Sequence, residues 1–137
     1  MSEAERETFL SEANVAILAT VGPKGAHAVP IWYLYEDGVF IMSTNHGSQK
    51  HRDIERNPNV TLVVDRRTLP YYAVMARGRA EVGTALDVAT RRRIAGRYLN
   101  DDQLEAYMAR ASDGESVSIH LTPRKFIEYH GRAGRTD

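Results

Sequence analysis

Cysteine is absent from the 137 residues. That excludes a disulfide framework, a thiol nucleophile and a thiolate metal site, and it fits a reducing compartment. Long apolar runs are absent too: none approaches the ~18 residues of a membrane span. The N-terminal MSEAERETFL is acidic and amphipathic, without the basic and apolar regions of a signal peptide, so the chain reads as cytoplasmic. Excess charge of either sign is missing, with Lys+Arg at 18 and Asp+Glu at 18, which removes the electrostatic reason to expect nucleic acid or an anionic membrane as a partner. The basic run Arg91-Arg92-Arg93 spreads around a helix rather than forming one patch, and reads as a solvated face. The five histidines (His27, His46, His51, His120, His130) lack ligand spacing such as H-x-x-x-H, so no metal site is expected. Also lacking are G-x-S-x-G, G-x-G-x-x-G and H-E-x-x-H, hence no nucleophile elbow, dinucleotide fingerprint or zincin motif.

What is present is a small domain of alternating strands. Ser2-x-x-Glu5 is a capping box that predicts a helix from about Glu3 to Glu12, with Phe9, Leu10 and Ala13 as its buried side. Strands are expected at Asn14 to Thr20, Ala26 to Glu36 and from Val39. Gly22 to Gly25 forms one turn and Asp37-Gly38 a two-residue hairpin, so the first fifty residues form a three-stranded meander. Pro30 inside the second strand cannot donate to a ladder and marks an edge, a bulge or a ligand-covered backbone. A helix over Gln49 to Arg56 is stopped by Pro58, and Asn59 to Arg66 is a fourth strand. Tyr71 to Thr84 is a fifth, with Val74, Ala76, Ala80 and Val82 on one face and Gly78 at a bend or bulge. Leu86, Thr90, Ile94 and Tyr98 trace one helix. Asn100 caps another, which carries Leu104, Tyr107, Met108 and Ala111 and ends at Asp113-Gly114. Glu115 to His130 returns as a final strand pair cornered at Pro123, before a mobile tail over about 131–137. The expected fold is a single domain over 1–137, mainly β with flanking helices: a six-stranded antiparallel split β-barrel. Its leftover apolar strand faces call for a second copy of the chain, hence a homodimer.

Val39 to Asn57 carries the strongest functional signal. A short apolar strand gives way to Ser43-Thr44-Asn45, then Gly47 and Ser48-Gln49-Lys50 at a helix start. Free amides at a helix N-terminus, hydroxyl donors and a mobile ammonium together suit an anion, above all a phosphate. The plain alternative is a capping serine followed by a surface lysine. His46 in the same turn is a phosphate neighbour, a proton donor or a loop residue. Trp32, the sole tryptophan, is either packing or a ring platform.

The succession NVAILATVGPKGAHAVPIWY, a strand ending in ST, SQK-x-R-x-I-x-R-N-P, VTLVVD and Y-x-V-x-x-RGRAEV resembles the pyridoxamine 5′-phosphate oxidase-like superfamily, over about Phe9 to Tyr129. Within it the chain looks most like the actinobacterial flavin/deazaflavin oxidoreductases. The resemblance implies a split-barrel homodimer with cofactor sites along the subunit interface. The cofactor would be coenzyme F420 (first choice) or FMN, and the partner a small organic substrate. It further implies Val29, Pro30, Ile31 and Trp32 against the ring system, and Met42, Ser43 and Thr44 along the cofactor chain. Ser48, Gln49 and Lys50 would hold the phosphate, with Tyr72 and Arg77 reaching across from the partner subunit. No catalytic side chain is implied, because the cofactor carries the hydride chemistry. Pyridoxamine phosphate oxidases themselves are longer, with a C-terminal substrate-binding segment that has no counterpart in these residues. The expectation is therefore an F420-dependent oxidoreductase acting on a small unsaturated molecule. The alternatives are an FMN-dependent enzyme of the pyridoxamine-phosphate-oxidase type and a non-catalytic flavin, F420 or haem carrier.

Overall fold

A computed structural model describes residues 1–110 and 115–130, together with the backbone of 134–136. The elements follow in the order α1 (Glu3–Leu10), β1 (Ala16–Gly22), β2 (Gly25–Ile31), β3 (Leu34–Glu36), β4 (Val39–Asn45), α2 (Gln49–Arg56), β5 (Asn59–Arg66), β6 (Tyr72–Gly83), α3 (Val88–Gly96), α4 (Asp101–Arg110), β7 (Ser116–His130) and β8 (Gly134–Thr136). All strand pairs are antiparallel in a sheet ordered β2-β1-β5-β6-β7-β4-β3, and β8 adds to β7. No helix among the described residues is long and apolar enough to cross a membrane.

The expected six strands become eight for two local reasons. The second strand, expected to run unbroken over Ala26 to Glu36, divides at Trp32-Tyr33. Its first half pairs with β1 and its second with β4, so no three-stranded meander forms. The dividing residues find partners outside the ladder. The Tyr33 amide donates to the Tyr98 hydroxyl at 3.3 Å, and its carbonyl accepts from Arg97. The Tyr33 ring is fully buried, and its hydroxyl donates to the Leu10 carbonyl at 2.8 Å. The second reason is β8: part of the expected free tail pairs with β7 through Glu128↔Thr136, Tyr129↔Arg135 and His130↔Gly134. The rest of that tail lies outside the described residues, as does the helix end expected at Asp113-Gly114.

The hydrogen-bonded ladder is open, because its two end strands, β2 and β3, do not pair. They are nonetheless consecutive in the chain. Three peptide steps from Ile31 to Leu34 span at most roughly 11 Å, so the sheet must curl until its two edges face each other. The final segment is one continuous strand rather than a cornered pair. At Pro123 the register slips: Arg77 faces Lys125 and Gly78 faces Pro123, which leaves Arg124 as the extra residue of a bulge. Proline without an N–H is tolerated at such a break, and the strand simply continues.

Alternation along each strand sends Leu18, Met42, Leu62, Val74, Ile119 and Leu121 into one core in which every one of them is fully buried. α1 closes this core with Phe9 and Leu10, the Phe9 ring meeting Tyr72 edge-on at 4.6 Å; Ala13, beyond the helix, is exposed. On the opposite sheet face Pro30, Ile17, Val63 and Met75 stand side by side across four neighbouring strands.

Candidate functional site

Ser48 begins α2 as its N-cap, its hydroxyl accepting from the His51 amide at 3.3 Å and lying 3.0 Å from the Thr44 hydroxyl. Gly47 precedes it with φ of 78°, a left-handed conformation that strains any other residue. The turn is held from both sides. The Gly47 amide donates to His51 Nδ1 at 2.9 Å, and Arg52 donates to the Gly47 carbonyl at 2.6 Å. Among the described residues the amides of Gln49 and Lys50 have no acceptor, as the first turn of a helix requires.

Lys50 extends from this turn into a cavity of about 390 Å³ lined by Val15, Pro30, Ile31, Trp32, Ser43, Thr44, Asn45, Lys50, Ile94 and Tyr107. Its ammonium has no ion pair or hydrogen bond among the described residues, and partial burial pushes its pKa below the ordinary lysine value. A desolvated cation without a counter-ion is a receptor for an anion. Facing it in the cavity are an edge-strand proline and the Trp32 indole. The indole stacks parallel to Tyr98 at 5.0 Å and 10°, and meets Tyr107 at 5.6 Å and 49°. The Tyr98 hydroxyl donates to the Asn14 carbonyl at 3.0 Å, which fixes the platform.

Of the residues proposed from the sequence, the fold gathers Pro30, Ile31, Trp32, Ser43, Thr44 and Lys50 around this one cavity. The others lie elsewhere. Met42 is fully buried in the core, because adjacent strand residues point to opposite faces and Met42 and Ser43 cannot share one. Val29 pairs with Leu18 on the core side of β2. Ser48 borders the turn through its cap. The Gln49 side chain turns along α2, donating to Asp53 at 2.7 Å and accepting from Arg52 at 2.7 Å. Tyr72 is buried with its hydroxyl donated to Glu128. Arg77 is exposed in a separate cleft beside Thr61 and Arg124. His46 is exposed, its ring 4.9 Å from His51.

Asn45, Val15, Ile94 and Tyr107 line the cavity without having been singled out. Asn45 stood within the polar run of the turn, but residues 94 and 107 reach the site only through tertiary folding. A second omission is Asp53, fully buried beneath α2 and accepting from Thr20 at 2.8 Å and Gln49 at 2.7 Å. Burial by itself would raise this carboxyl. The Thr20 and Gln49 hydrogen bonds, helped by His27 and Arg52, outweigh it and hold the pKa below the usual carboxylate value. Asp53 therefore ties α2, and with it Lys50, to β1. Its lowered pKa gives stability that is present above the ordinary carboxylate range and is lost as pH falls through the folded-state value. Asp53→Asn is expected to lower stability at neutral pH by about 1–3 kcal/mol and to flatten the acid side of the stability profile. Urea midpoints measured from neutral to acid pH check this; an unaltered acid limb would contradict it.

Comparison with known proteins now bears on this geometry. A family model described as "Pyridoxamine 5'-phosphate oxidase" matches residues 2–130. The chain belongs to the pyridoxamine 5′-phosphate oxidase family. Its fold is that of the family. The conserved hypothetical protein Rv2991 from Mycobacterium tuberculosis superposes with a TM-score of 0.73 at 26% identity, over 96% of this chain and 86% of that one. A protein described as an F420 reductase superposes with a TM-score of 0.73 at 26% identity, over 88% of this chain and 94% of that one. The pyridoxine/pyridoxamine 5′-phosphate oxidase of Bdellovibrio bacteriovorus is 46% identical over 55 residues, a stretch that makes up 39% of this chain and only 28% of that enzyme. Similarity to an oxidase and to a reductase of this family points to an oxidoreductase.

Proposed function

We propose that this chain is an F420-dependent oxidoreductase that transfers a hydride between the deazaflavin and a small unsaturated organic substrate. One observation carries the reading. A single cavity joins an unpaired, partly desolvated ammonium and a helix N-terminus to an aromatic and proline-lined wall, which matches a ligand with a phosphate at one place and a flat ring at another. Lys50, the α2 amides and the Ser43 and Thr44 hydroxyls would hold the phosphate, while Pro30, Ile31 and Trp32 would lie along the ring. When bound, the cofactor supplies the hydride chemistry, and the protein supplies position and electrostatics. The likeness to an F420 reductase over most of both chains favours the deazaflavin. The second reading, an FMN-dependent oxidoreductase, draws on the family description and the Bdellovibrio oxidase.

The same reading has the protein working as a homodimer with the cofactor between subunits. Two features support it: the cavity is modest for a tricyclic cofactor, and the outer apolar row begins at Pro30, itself a cavity residue. A copy seated on Ile17, Val63 and Met75 would also border the site and could bring its Arg77 toward it. Titration with F420 and with FMN, following the fluorescence of Trp32, tests the cofactor. Micromolar or tighter binding of F420 is expected, and binding of neither would sink the proposal. Sedimentation equilibrium tests the assembly: a dimer is expected, and a monomer at micromolar concentration would remove the partner's role.

A further inference from the structure

α4 is an unusual wall for a binding site, since none of its residues is buried. It is held on α3 by the paired hydrogen bonds of Arg92 to Glu105, at 2.6 and 3.2 Å, and it meets Trp32 through Tyr107. The two tyrosines beside the indole differ in one respect that matters. The Tyr98 hydroxyl donates to a backbone carbonyl, whereas the Tyr107 hydroxyl has no partner among the described residues, and its side chain is 38% exposed at the cavity with Lys50 and Ser43. A fixed aromatic face with a spare donor, standing at a cavity whose other groups suit a phosphate and a ring, is equipped for a second flat molecule.

We propose that Tyr107 selects the substrate: its ring lies against a planar, conjugated acceptor and its hydroxyl donates to that acceptor's carbonyl oxygen, which makes enones and quinones the substrate class. This rests on the cofactor reading above and deepens it. Tyr98 and Trp32 form the rigid backing, and the Arg92–Glu105 pair sets how closely α4 carries Tyr107 to the cavity. A saturated, puckered ketone offers the oxygen but not the flat face, and binds worse for that reason.

The test uses the full chain loaded with oxidised F420, so that binding is read without turnover, and a simple naphthoquinone as probe with cyclohexanone as the non-planar control. Tyr107→Phe keeps the ring and removes only the donor. It is expected to weaken naphthoquinone binding about five- to tenfold, with F420 affinity within about twofold of the parent. Tyr107→Leu is expected to weaken it more than about tenfold and to erase the preference over cyclohexanone. Glu105→Gln, outside the site, is expected to give a smaller loss of the same sign. Unchanged naphthoquinone affinity in Tyr107→Phe and Tyr107→Leu overturns the proposal, as does a loss that tracks F420 affinity, which would make Tyr107 a cofactor contact. The titration is repeated on cofactor-free protein through Trp32 fluorescence. If the parent protein fails to take up F420 or FMN yet still binds naphthoquinone in a Tyr107-dependent way, the cofactor reading falls and the role of Tyr107 stands; if that binding is also absent, both fall.

Discussion

Lys50→Ala weakens F420 binding by about 1.5–3 kcal/mol, roughly a ten- to hundred-and-fifty-fold rise in dissociation constant, which is the worth of a charged hydrogen bond. The expectation follows from the isolation of this ammonium: no carboxylate answers it, and burial already depresses its pKa. An anion beside it reverses that depression, so binding takes up protons and weakens as pH rises through the lysine's lowered pKa. Lys50→Met should separate function from folding. In the ligand-free protein the lysine's pKa lies below its unfolded value, so the unfolded chain holds the proton more tightly and the charge opposes folding. The methionine variant is therefore expected to melt at a higher temperature than the parent when empty, and to gain less from added cofactor. Thermal melts with and without F420 measure both. A lower melting temperature for the empty variant, together with unchanged affinity, would assign Lys50 to the structure rather than to the site.

Gly78→Ala is expected to be the most damaging single methyl in the sheet. A Cβ at this position would stand 2.1 Å from the Thr122 carbonyl oxygen and 2.9 Å from the Pro123 Cα, both backbone atoms of the paired strand. Relief requires β6 and β7 to part at the bulge, so the loss should reach at least about 3 kcal/mol, the upper end for overpacking, with a melting temperature lowered by roughly 10 °C or more. Gly83→Ala is the internal control. There the added carbon meets only the Ser118 side-chain oxygen at 2.8 Å, and a hydroxyl can rotate away. Chemical denaturation of the two variants side by side decides the matter. Equal, small losses would mean that the bulge adapts and that the close approach carries no energetic weight.

Local elements were legible because their causes are local. The bounds of α2 and β5 follow from a serine cap, Pro58 and an apolar run, and the structure reproduces both ranges. The Asp37-Gly38 turn appears with φ of 52° and 77°, the left-handed pair that a two-residue hairpin demands. Gly78 marked a bulge, and the register slips there. Elements whose shape depends on distant partners were misread. Nothing between Ala26 and Glu36 announces that the strand breaks at Trp32-Tyr33, since the groups that accept its unpaired backbone, Tyr98 and Arg97, come more than sixty residues later. Pro123 read as a corner because a proline alone cannot show whether the strand beside it bulges or ends.

The amino-acid sequence by itself determined the class of this protein: a cysteine-free, charge-balanced, mainly antiparallel domain of the oxidase family, with a polar turn and a lysine at a helix start. Those are properties of composition and short-range pattern, which each residue carries wherever the chain goes. Only the tertiary structure decided which of the marked residues share a space. It moved Met42 into the core, turned Gln49 along its helix onto a buried carboxylate, left Tyr72 and Arg77 in clefts of their own, and brought Tyr107 from another helix to stand beside Trp32. The physical reason is that a side chain's direction depends on strand alternation and on which surfaces find burial together, and burial is a property of the whole chain.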